Sequence, residues 1–400
     1  MTRGRYLLRN RTPQPITDVH VRLLYNDFEL TSATLEGAQA VVDDAEFSYR
    51  IFRLDTPMRP GEARVLTFET RRWHRGFPNR FPNTTLIENG TFLDNTEVSP
   101  VVGITGSGML DDAATRRKYG LPDERPHRRM EGEPFSGSAW VQSDITVSTT
   151  ASQTPIAPGR KVSDVARGGR RIARFVSEAP IHPFFSIQSA RYAEKHRLHN
   201  GVDLAVYYHP AHAWNVDRML DTLALSLDYY QANFGPYQFS HVRIVEFPGY
   251  RYFAQAFAGT IPYSETYGFI SDYRNPETID LVSAVTAHEL AHQYWAHQVI
   301  GANVEGQTVL SETLANYSAI MVMKKLRGED QIRRLLQFEL DRYLEGRGSG
   351  AGDEPPLVRV DGQDWITYRK GALAMYLLQK RLGEEAVNRA LRSLLQRYKF

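Results

Sequence analysis

The sequence predicts a multidomain chain in which an N-terminal β-sandwich is followed by an α/β domain. Short alternating runs, separated by Gly, Pro, Asn and Asp clusters, fill residues 1–188, whereas strand and helix patterns alternate over residues 189–400. The second part also contains the pentapeptide HELAH at 288–292, which has the spacing of a metal site on a helix. We therefore expect a domain boundary near residue 188.

The individual elements follow from these runs. In the first part, alternating runs predict strands at Val41–Ile51, Arg64–Thr70, Trp140–Thr149 and Arg171–Val176. In the second part, Val202–Tyr208 and His241–Glu246 predict strands, and Val216–Phe234 predicts a helix that Gly235-Pro236 ends. A strand-helix-strand order is typical of an α/β domain.

Composition narrows the class of protein. The chain has 400 residues, 42% of them hydrophobic and 24% charged, as is ordinary for a globular protein that folds in water. A net charge of +2 gives no support to a nucleic-acid partner, and the absence of cysteine excludes disulfides and thiolate metal sites. No apolar run reaches the roughly 18 residues of a membrane span, and the N-terminus does not resemble a signal peptide. We expect a soluble domain cut from a longer protein, with any membrane tether outside this chain.

The HELAH motif predicts a metal site. His288 and His292 are four residues apart, so on a helix they project from one face and two imidazoles can hold one Zn²⁺. Asn275 as N-cap and Pro276 as first helical residue predict where this helix starts, and Gly301 predicts where it ends.

A second helix, predicted over Thr308–Leu326, carries Glu312 in its first turn. Glu312 would complete three protein ligands and leave a fourth position for water, which is the layout of a catalytic rather than a structural zinc site. The alternative interpretation is a surface glutamate.

The ligand set indicates the chemistry of the site. Bound zinc lowers the pKa of water from about 16 to about 7. Glu289, beside the two histidines, would accept that proton and return it to a leaving nitrogen. A donor to the tetrahedral oxyanion is also needed, and the segment Thr367–Ala372 contains a candidate.

These motifs resemble those of the M1 metallopeptidases, a gluzincin family with a β-sandwich before a thermolysin-like catalytic domain. Residues 288–293 are similar to the family's HELAHQ, residues 310–312 to its L-N-E, and residues 368–372 to its Y-x-K-G-A. The resemblance implies one Zn²⁺ per chain at His288, His292 and Glu312, with Glu289 as base and Tyr368 as oxyanion donor. It also implies a peptide substrate.

One departure from the family concerns spacing. Glu312 stands one residue later than the family places its glutamate ligand, and Ser311 occupies the usual position. Serine cannot replace a carboxylate here, so we retain Glu312. We expect the extra residue in the loop Gly301–Gly306, because loops tolerate insertions at small cost.

A second departure concerns the substrate's amino group. The family's G-x-M-E-N strand carries a glutamate that binds this group, whereas the matching segment here has no carboxylate. The resemblance implies substrate contacts at Gln255, Ala256, Phe257 and Gly259. A neutral amide binds an ammonium less strongly than a carboxylate does.

The segment 253–265 also resembles a bacterial branch in which an M1-like domain follows an ABC-2 type permease. That resemblance implies a permease region in the same polypeptide and a parent protein in the bacterial inner membrane.

Three functions stay open at this point. The first is an M1-type zinc peptidase that acts at peptide N-termini. The second is a zinc endopeptidase or another zinc hydrolase, and the third is a non-catalytic peptide-binding domain of a transporter. Three further polar residues invite comment: we interpret His209 and His212 as ordinary loop histidines and His297 as no ligand.

Overall fold

A computed structural model describes residues 1–25, 27–74, 85–103, 110, 112–122, 140–275, 277–349 and 354–400. The chain forms two compact units, one of Met1–Ile87 with Phe92–Glu124 and one of Glu88–Thr91 with Arg125–Phe400. Residue 188 falls inside the second unit, and the division into domains at 1–188 and 189–400 stays a prediction.

The first unit is built from two antiparallel sheets. Its strands are β1 (Thr2–Arg9), β2 (Ile16–Arg22), β3 (Phe28–Leu35), β4 (Ala38–Asp44), β5 (Tyr49–Met58), β6 (Ala63–Arg72), β7 (Thr91–Asp94, whose first residue belongs to the second unit) and β8 (Val101–Val102), followed by helix α1 (Ala113–Lys118). The sheet orders are β1-β6-β3 and β4-β5-β2-β8. One core takes side chains from both sheets, among them Val21 and Phe52 from one and Leu35 and Leu66 from the other. The prediction of an N-terminal β-sheet domain is confirmed.

The second unit begins with short antiparallel strands. These are β9 (Asp144–Thr150), β10 (Thr154–Ile156), β11 (Arg160–Arg167), β12 (Arg170–Val176) and β13 (Ser186–Ala190), with β11-β12-β9 as one sheet and β10 paired with β13. The buried guanidinium of Arg243 donates hydrogen bonds to the carbonyls of Ala157 and Gly159. This arginine therefore fixes the antiparallel strands to the sheet that follows.

That following sheet contains β14 (Ala193–His199), β15 (Val202–Tyr208), β16 (His241–Phe247) and β17 (Thr260–Ser264), in that order. The pairs β15-β16 and β16-β17 are parallel, and every residue of β16 and β17 is buried. Parallel strands are covered on both faces, which accounts for the burial of both strands along their whole length. The carboxyl ends of the three strands meet at one edge, where polar groups can gather.

The helices of this unit are α2 (Val216–Asn233), α3 (Leu281–Ala291), α4 (Leu314–Ser349), α5 (Gly371–Leu382) and α6 (Glu384–Tyr398). Gly328 interrupts α4 with a φ of 79°, a conformation that favours glycine. One core joins the parallel sheet to these five helices. The predicted class, a β-rich region followed by an α/β domain, is confirmed.

The predicted ends of the helix that carries HELAH were wrong. Helix α3 starts at Leu281, and its N-cap is Asp280, whose carboxylate accepts from the N–H of Ser283. Asn275 is therefore not the cap, and Pro276 lies outside the described residues. The second motif helix runs from the π-helical turn at Val309 to the kink at Gly328, close to the predicted Thr308–Leu326. Helix α3, in contrast, ends at Ala291, well before Gly301. Local cap preferences gave plausible ends, but tertiary contacts selected others.

Candidate metal centre

The start of α3 is held by a buried carboxylate. Besides capping the helix, Asp280 accepts from Arg218 of α2 at 2.6 Å and also pairs with Arg327 of α4. Two other helices thus fix the helix that carries HELAH, about two to three turns before the candidate ligands.

His288, His292 and Glu312 converge as the sequence predicts. The two histidine Nε2 atoms are 3.0 Å apart, and the Glu312 Oε2 atom lies 3.3 Å from His288 Nε2 and 3.2 Å from His292 Nε2. The centre of such a triangle is about 2 Å from each corner, the length of Zn–N and Zn–O bonds. Two imidazoles and one carboxylate on an almost equilateral triangle fit a single divalent cation.

The state of the donor atoms supports the same conclusion. Glu312 Oε2 is buried without a hydrogen-bond donor. Burial acts to raise the pKa of Glu312, but the charge of His292 and contacts with both histidines hold it far below its usual range. Burial lowers the pKa of His292, but the charge of Glu312 raises it, and the pKa reaches about 9. The buried carboxylate thus needs a positive charge beside it, which a metal ion would supply.

The orientation of His292 is set by its own backbone. Its Nδ1 lies 3.2 Å from the carbonyl oxygen of Trp295. A proton on Nδ1 makes this hydrogen bond, so in the neutral ring, the form that binds a metal, Nε2 carries the lone pair.

Glu289 is buried beside the triangle, with 6% of its surface exposed. Burial raises its pKa, whereas the charges of His288 and His292 and a hydrogen bond from the N–H of Ala256 oppose that rise. A raised carboxylate pKa suits a group that must take up and return a proton near neutral pH.

Tyr368 packs against His288. The two rings are stacked with centroids 6.0 Å apart. Burial, followed by the charge of Glu312, raises the pKa of Tyr368, so its hydroxyl keeps its proton and is available as a donor.

Glu312 and Tyr368 both lie on π-helical turns, Val309–Thr313 and Trp365–Lys370. These turns are cross-linked, since Thr313 Oγ1 donates to the carbonyl of Thr367 at 2.6 Å. A Cβ on Gly371 would lie 2.4 Å from Thr313 Oγ1, so only glycine allows this approach.

The π-helical turn also bears on the spacing of Glu312. A π-helical turn holds one residue more than an α-helical turn. Such a turn can take up the extra residue, and its placement in the loop Gly301–Gly306 stays a prediction.

The predicted substrate segment forms an edge beside β17. Gln255 N–H donates to the carbonyl of Pro262, and isolated bridges join Ala254 to Tyr263 and Phe257 to Thr260. Gln255 lines the cavity described below, whereas Ala256, Phe257 and Gly259 are not among its lining residues. The assignment of all four to substrate binding stays a prediction.

Two residues that the sequence analysis did not select hold this edge in place. Gln293 donates to the carbonyl of Phe257 at 3.0 Å and accepts from the N–H of Gly259 at 2.9 Å. His297 Nε2 lies 3.1 Å from the carbonyl of Ala256. The one sequence signal for Gln293 was its position directly after HELAH, whereas no sequence signal marked His297.

A cavity of about 350 Å³ adjoins the triangle. Besides Gln255 and the candidate metal site, its wall includes an ion pair between Glu339 of α4 and Arg369. Glu339 lies 27 residues beyond Glu312. No local motif marks it, and the sequence analysis missed it.

A second group of possible ligands gathers at the carboxyl ends of the parallel strands. His212 Nδ1 lies 2.5 Å from Glu246 Oε1 and 4.0 Å from Glu265 Oε2. The first distance is that of a direct hydrogen bond, and the unequal pair of distances does not fit one ion between the three groups. We interpret His212 as a histidine that partners the buried Glu246.

Comparisons with known proteins show what a chain with this fold and this triangle is similar to. Residues 215–400 match the peptidase family M1 domain. The chain is 27% identical over 183 residues to "Probable aminopeptidase 1" of Sulfurisphaera tokodaii, covering 44% of this chain and 23% of that protein. It is 20% identical over 359 residues to human "Glutamyl aminopeptidase", covering 86% of this chain and 35% of that protein. The chain thus spans about a quarter to a third of the length of these relatives.

Solved structures show the same fold. A mutant of an M1 zinc metallopeptidase from Deinococcus radiodurans aligns with a TM-score of 0.66 at 18% identity, covering 99% of this chain and 82% of that one. A mutant of an M1 zinc metallopeptidase from the same organism, bound to a Tyr-Ser-Ala substrate, aligns with a TM-score of 0.66 at 19% identity and covers the same shares. The match over residues 215–400 and the shared fold agree with the M1-type domain that the sequence predicts.

Proposed function

We propose that this chain is a zinc-dependent peptidase that hydrolyses peptide bonds at the N-termini of its substrates. The main observation behind this proposal is the triangle of His288, His292 and Glu312. Glu289 is buried beside it, and Tyr368 is stacked on His288. One Zn²⁺ per chain is the proposed occupant, because the donor atoms and their spacing suit it. The relatives named aminopeptidases and zinc metallopeptidases support the same assignment.

Zinc, when bound, would supply activation of water and polarisation of the scissile carbonyl. Glu289 would accept a proton from the attacking water and deliver it to the leaving nitrogen. The Tyr368 hydroxyl would donate a hydrogen bond to the oxyanion as it forms. Glu339 and Arg369 would contribute to the wall against which the peptide lies.

The direct test is metal content together with hydrolysis of matched peptides. Purified chain is analysed for zinc and incubated with a free-amino tripeptide and its N-acetylated counterpart, with and without chelator. We expect one zinc per chain and chelator-sensitive cleavage of the free-amino peptide alone. A chain that contains no zinc after loading overturns the proposal, and zinc without hydrolysis of either peptide overturns the catalytic part of it.

Endopeptidase action is the second candidate, and one observation favours it. The substrate edge has Gln255, not a carboxylate, at the cavity, so the site has no charged group at that edge to select a free amino terminus. Equal cleavage of the acetylated and free peptides would establish this second candidate. A non-catalytic role is less well supported, because a binding domain has no need of the base or the oxyanion donor.

We also propose that the parent polypeptide carries a permease region and resides in the bacterial inner membrane. The resemblance of residues 253–265 to the permease-fused branch supports this. In the described ranges, no helix has both the length and the apolar character that a bilayer crossing requires. Fractionation of cells that express the complete gene tests the idea, and recovery of the whole product away from membranes would oppose it.

A further inference from the structure

The cavity wall contains an ion pair that has no role in the proposed chemical steps. Glu339 and Arg369 line the cavity together with Glu289, Glu312 and the two histidines. Among the described residues that line it, Arg369 is the one with a permanent positive charge. A cation in the wall of a peptide-binding cavity is a candidate for substrate recognition.

Glu339 already has its partner. Its two carboxylate oxygens lie 3.0 and 2.9 Å from the same nitrogen, Nη1 of Arg369. The Glu339 side chain is only 9% exposed, whereas that of Arg369 is 33% exposed. Glu339 is therefore poorly placed to receive an ammonium group from solution, but the guanidinium is within reach of a ligand.

One edge of the Arg369 guanidinium is not used by Glu339. Glu339 uses Nη1 alone, and in the described structure Nε and Nη2 of Arg369 form no hydrogen bond. The Nε–Nη2 edge presents two parallel N–H groups, the geometry that pairs with both oxygens of a carboxylate. Phe338, whose ring centroid is 5.9 Å from the guanidinium carbon, supports one face of the group.

The position of Arg369 relates this edge to the reaction. Arg369 follows Tyr368 directly on the π-helical turn Trp365–Lys370. A carboxylate bound to its free edge would thus belong to a residue near the scissile bond. The cavity, at about 350 Å³, admits only a few residues of a peptide.

We propose that Arg369 binds a carboxylate of the peptide substrate and so selects peptides that carry one close to the scissile bond. That carboxylate comes either from an acidic side chain or from the C-terminus of a short peptide, and both offer the same group to the guanidinium. This inference rests on the proposed peptidase function, and it adds the substrate class.

Two pairs of substrates separate the sources of the carboxylate. Tri-alanine with a free C-terminus is compared with tri-alanine amide, and Glu-Ala-Ala amide is compared with Gln-Ala-Ala amide. In at least one pair, we expect the acid to have a kcat/KM about 10- to 100-fold higher than its neutral counterpart. This is the range of a hydrogen-bonded charge pair. The pair that shows the preference identifies the source.

Variants then locate the preference. In Arg369→Met the acid-to-neutral ratio should fall toward one. Because Met leaves the buried Glu339 without a partner, Arg369→Met/Glu339→Gln is measured as well, and it should show the same loss with unchanged zinc content. Arg342→Gln is the matched control: Arg342 lies over the same Phe338 ring at 5.4 Å but is outside the cavity wall, so the ratio should persist.

The outcomes are distinguishable from failure of the peptidase proposal. If neutral peptides are cleaved but neither pair shows a preference in the wild-type chain, Arg369 does not select carboxylates and the peptidase proposal stands. If no peptide is cleaved, calorimetric binding of both substrate pairs to the zinc-loaded chain decides. Tighter binding of the acid in either pair that Arg369→Met abolishes supports the inference, and equal binding within both pairs overturns it.

Discussion

The side-chain amide of Asn316 donates a 2.8 Å hydrogen bond to the main-chain carbonyl of Tyr368. Asn316 lies one helical turn beyond Glu312, so this bond joins the helix of the glutamate ligand to the turn of the oxyanion donor. Thr313 makes a parallel bond to Thr367. The distance between the metal triangle and the Tyr368 hydroxyl is therefore set by two side chains of one helix start.

Asn316→Ala should lower kcat by about two- to tenfold, because one hydrogen bond that positions Tyr368 is lost. Zinc content should stay at one per chain. A double-mutant cycle with Tyr368→Phe gives the sharper measurement: if Asn316 acts through the tyrosine, its substitution should cost little once the hydroxyl is gone. An equal loss in both backgrounds would assign Asn316 to general packing.

Tyr368→Phe removes only the hydroxyl and should lower kcat by about 10²–10³, as loss of one oxyanion donor does. KM and zinc content should change little, since the ring still packs on His288. Steady-state kinetics on the free-amino tripeptide measures the effect. Unchanged kcat would remove Tyr368 from its assigned role.

Glu289→Gln should keep zinc and lose turnover. The amide occupies nearly the same volume but cannot accept the proton of water, and general-base catalysis contributes about 10²–10⁴-fold. Metal analysis and hydrolysis are measured on the same preparation. Undiminished hydrolysis by this variant would contradict the proposed mechanism.

Glu312→Ala should weaken zinc binding, because the third donor of the triangle is lost. Competition against a chromogenic chelator measures the affinity. Glu265→Ala serves as the matched control, since it removes a carboxylate from the second group of possible ligands, where the distances do not fit one ion. Zinc affinity reduced equally by both changes would show that the triangle is not the zinc site.

Much of this site could be predicted because its candidate residues lie in short sequence motifs. His288 and His292 share a helical turn, and Glu312 and Tyr368 lie in short segments of recognisable pattern. The partners that hold them could not be predicted. Asp280 replaced Asn275 as helix cap because Arg218 and Arg327, distant along the chain, converge on it.

The same limit applies to the rest of the fold. The sequence predicts β-strands from residue 140 onward, but whether they pack with the strands before them or with β16 depends on contacts such as those of Arg243. Likewise, Glu246 and Glu265 reach His212 only because three parallel strands end at one edge. Long-range partners of this kind leave no local signal in a single sequence.

His241 of β16 affects stability at acid pH. His241 is buried, and its Nε2 accepts from the Arg243 guanidinium at 2.8 Å. Burial and then the charge of Arg243 lower the pKa of His241 to about 4, although Glu178, 3.2 Å from Nδ1, acts in the opposite direction. The ring is therefore neutral in the folded chain at neutral pH.

In the unfolded chain the same imidazole has a pKa of about 6.5, so between pH 6.5 and 4 the unfolded state binds the extra proton. Stability due to this group is complete above pH 6.5 and is lost as the pH falls toward 4. His241→Gln keeps an acceptor for Arg243 but does not titrate. Between pH 7 and 4, the wild-type chain should lose about 2–3 kcal/mol more of its unfolding free energy than the variant does. Urea unfolding of both chains at the two pH values measures this difference, in which contributions from shared groups cancel, and equal losses would show that His241 is not neutralised by burial.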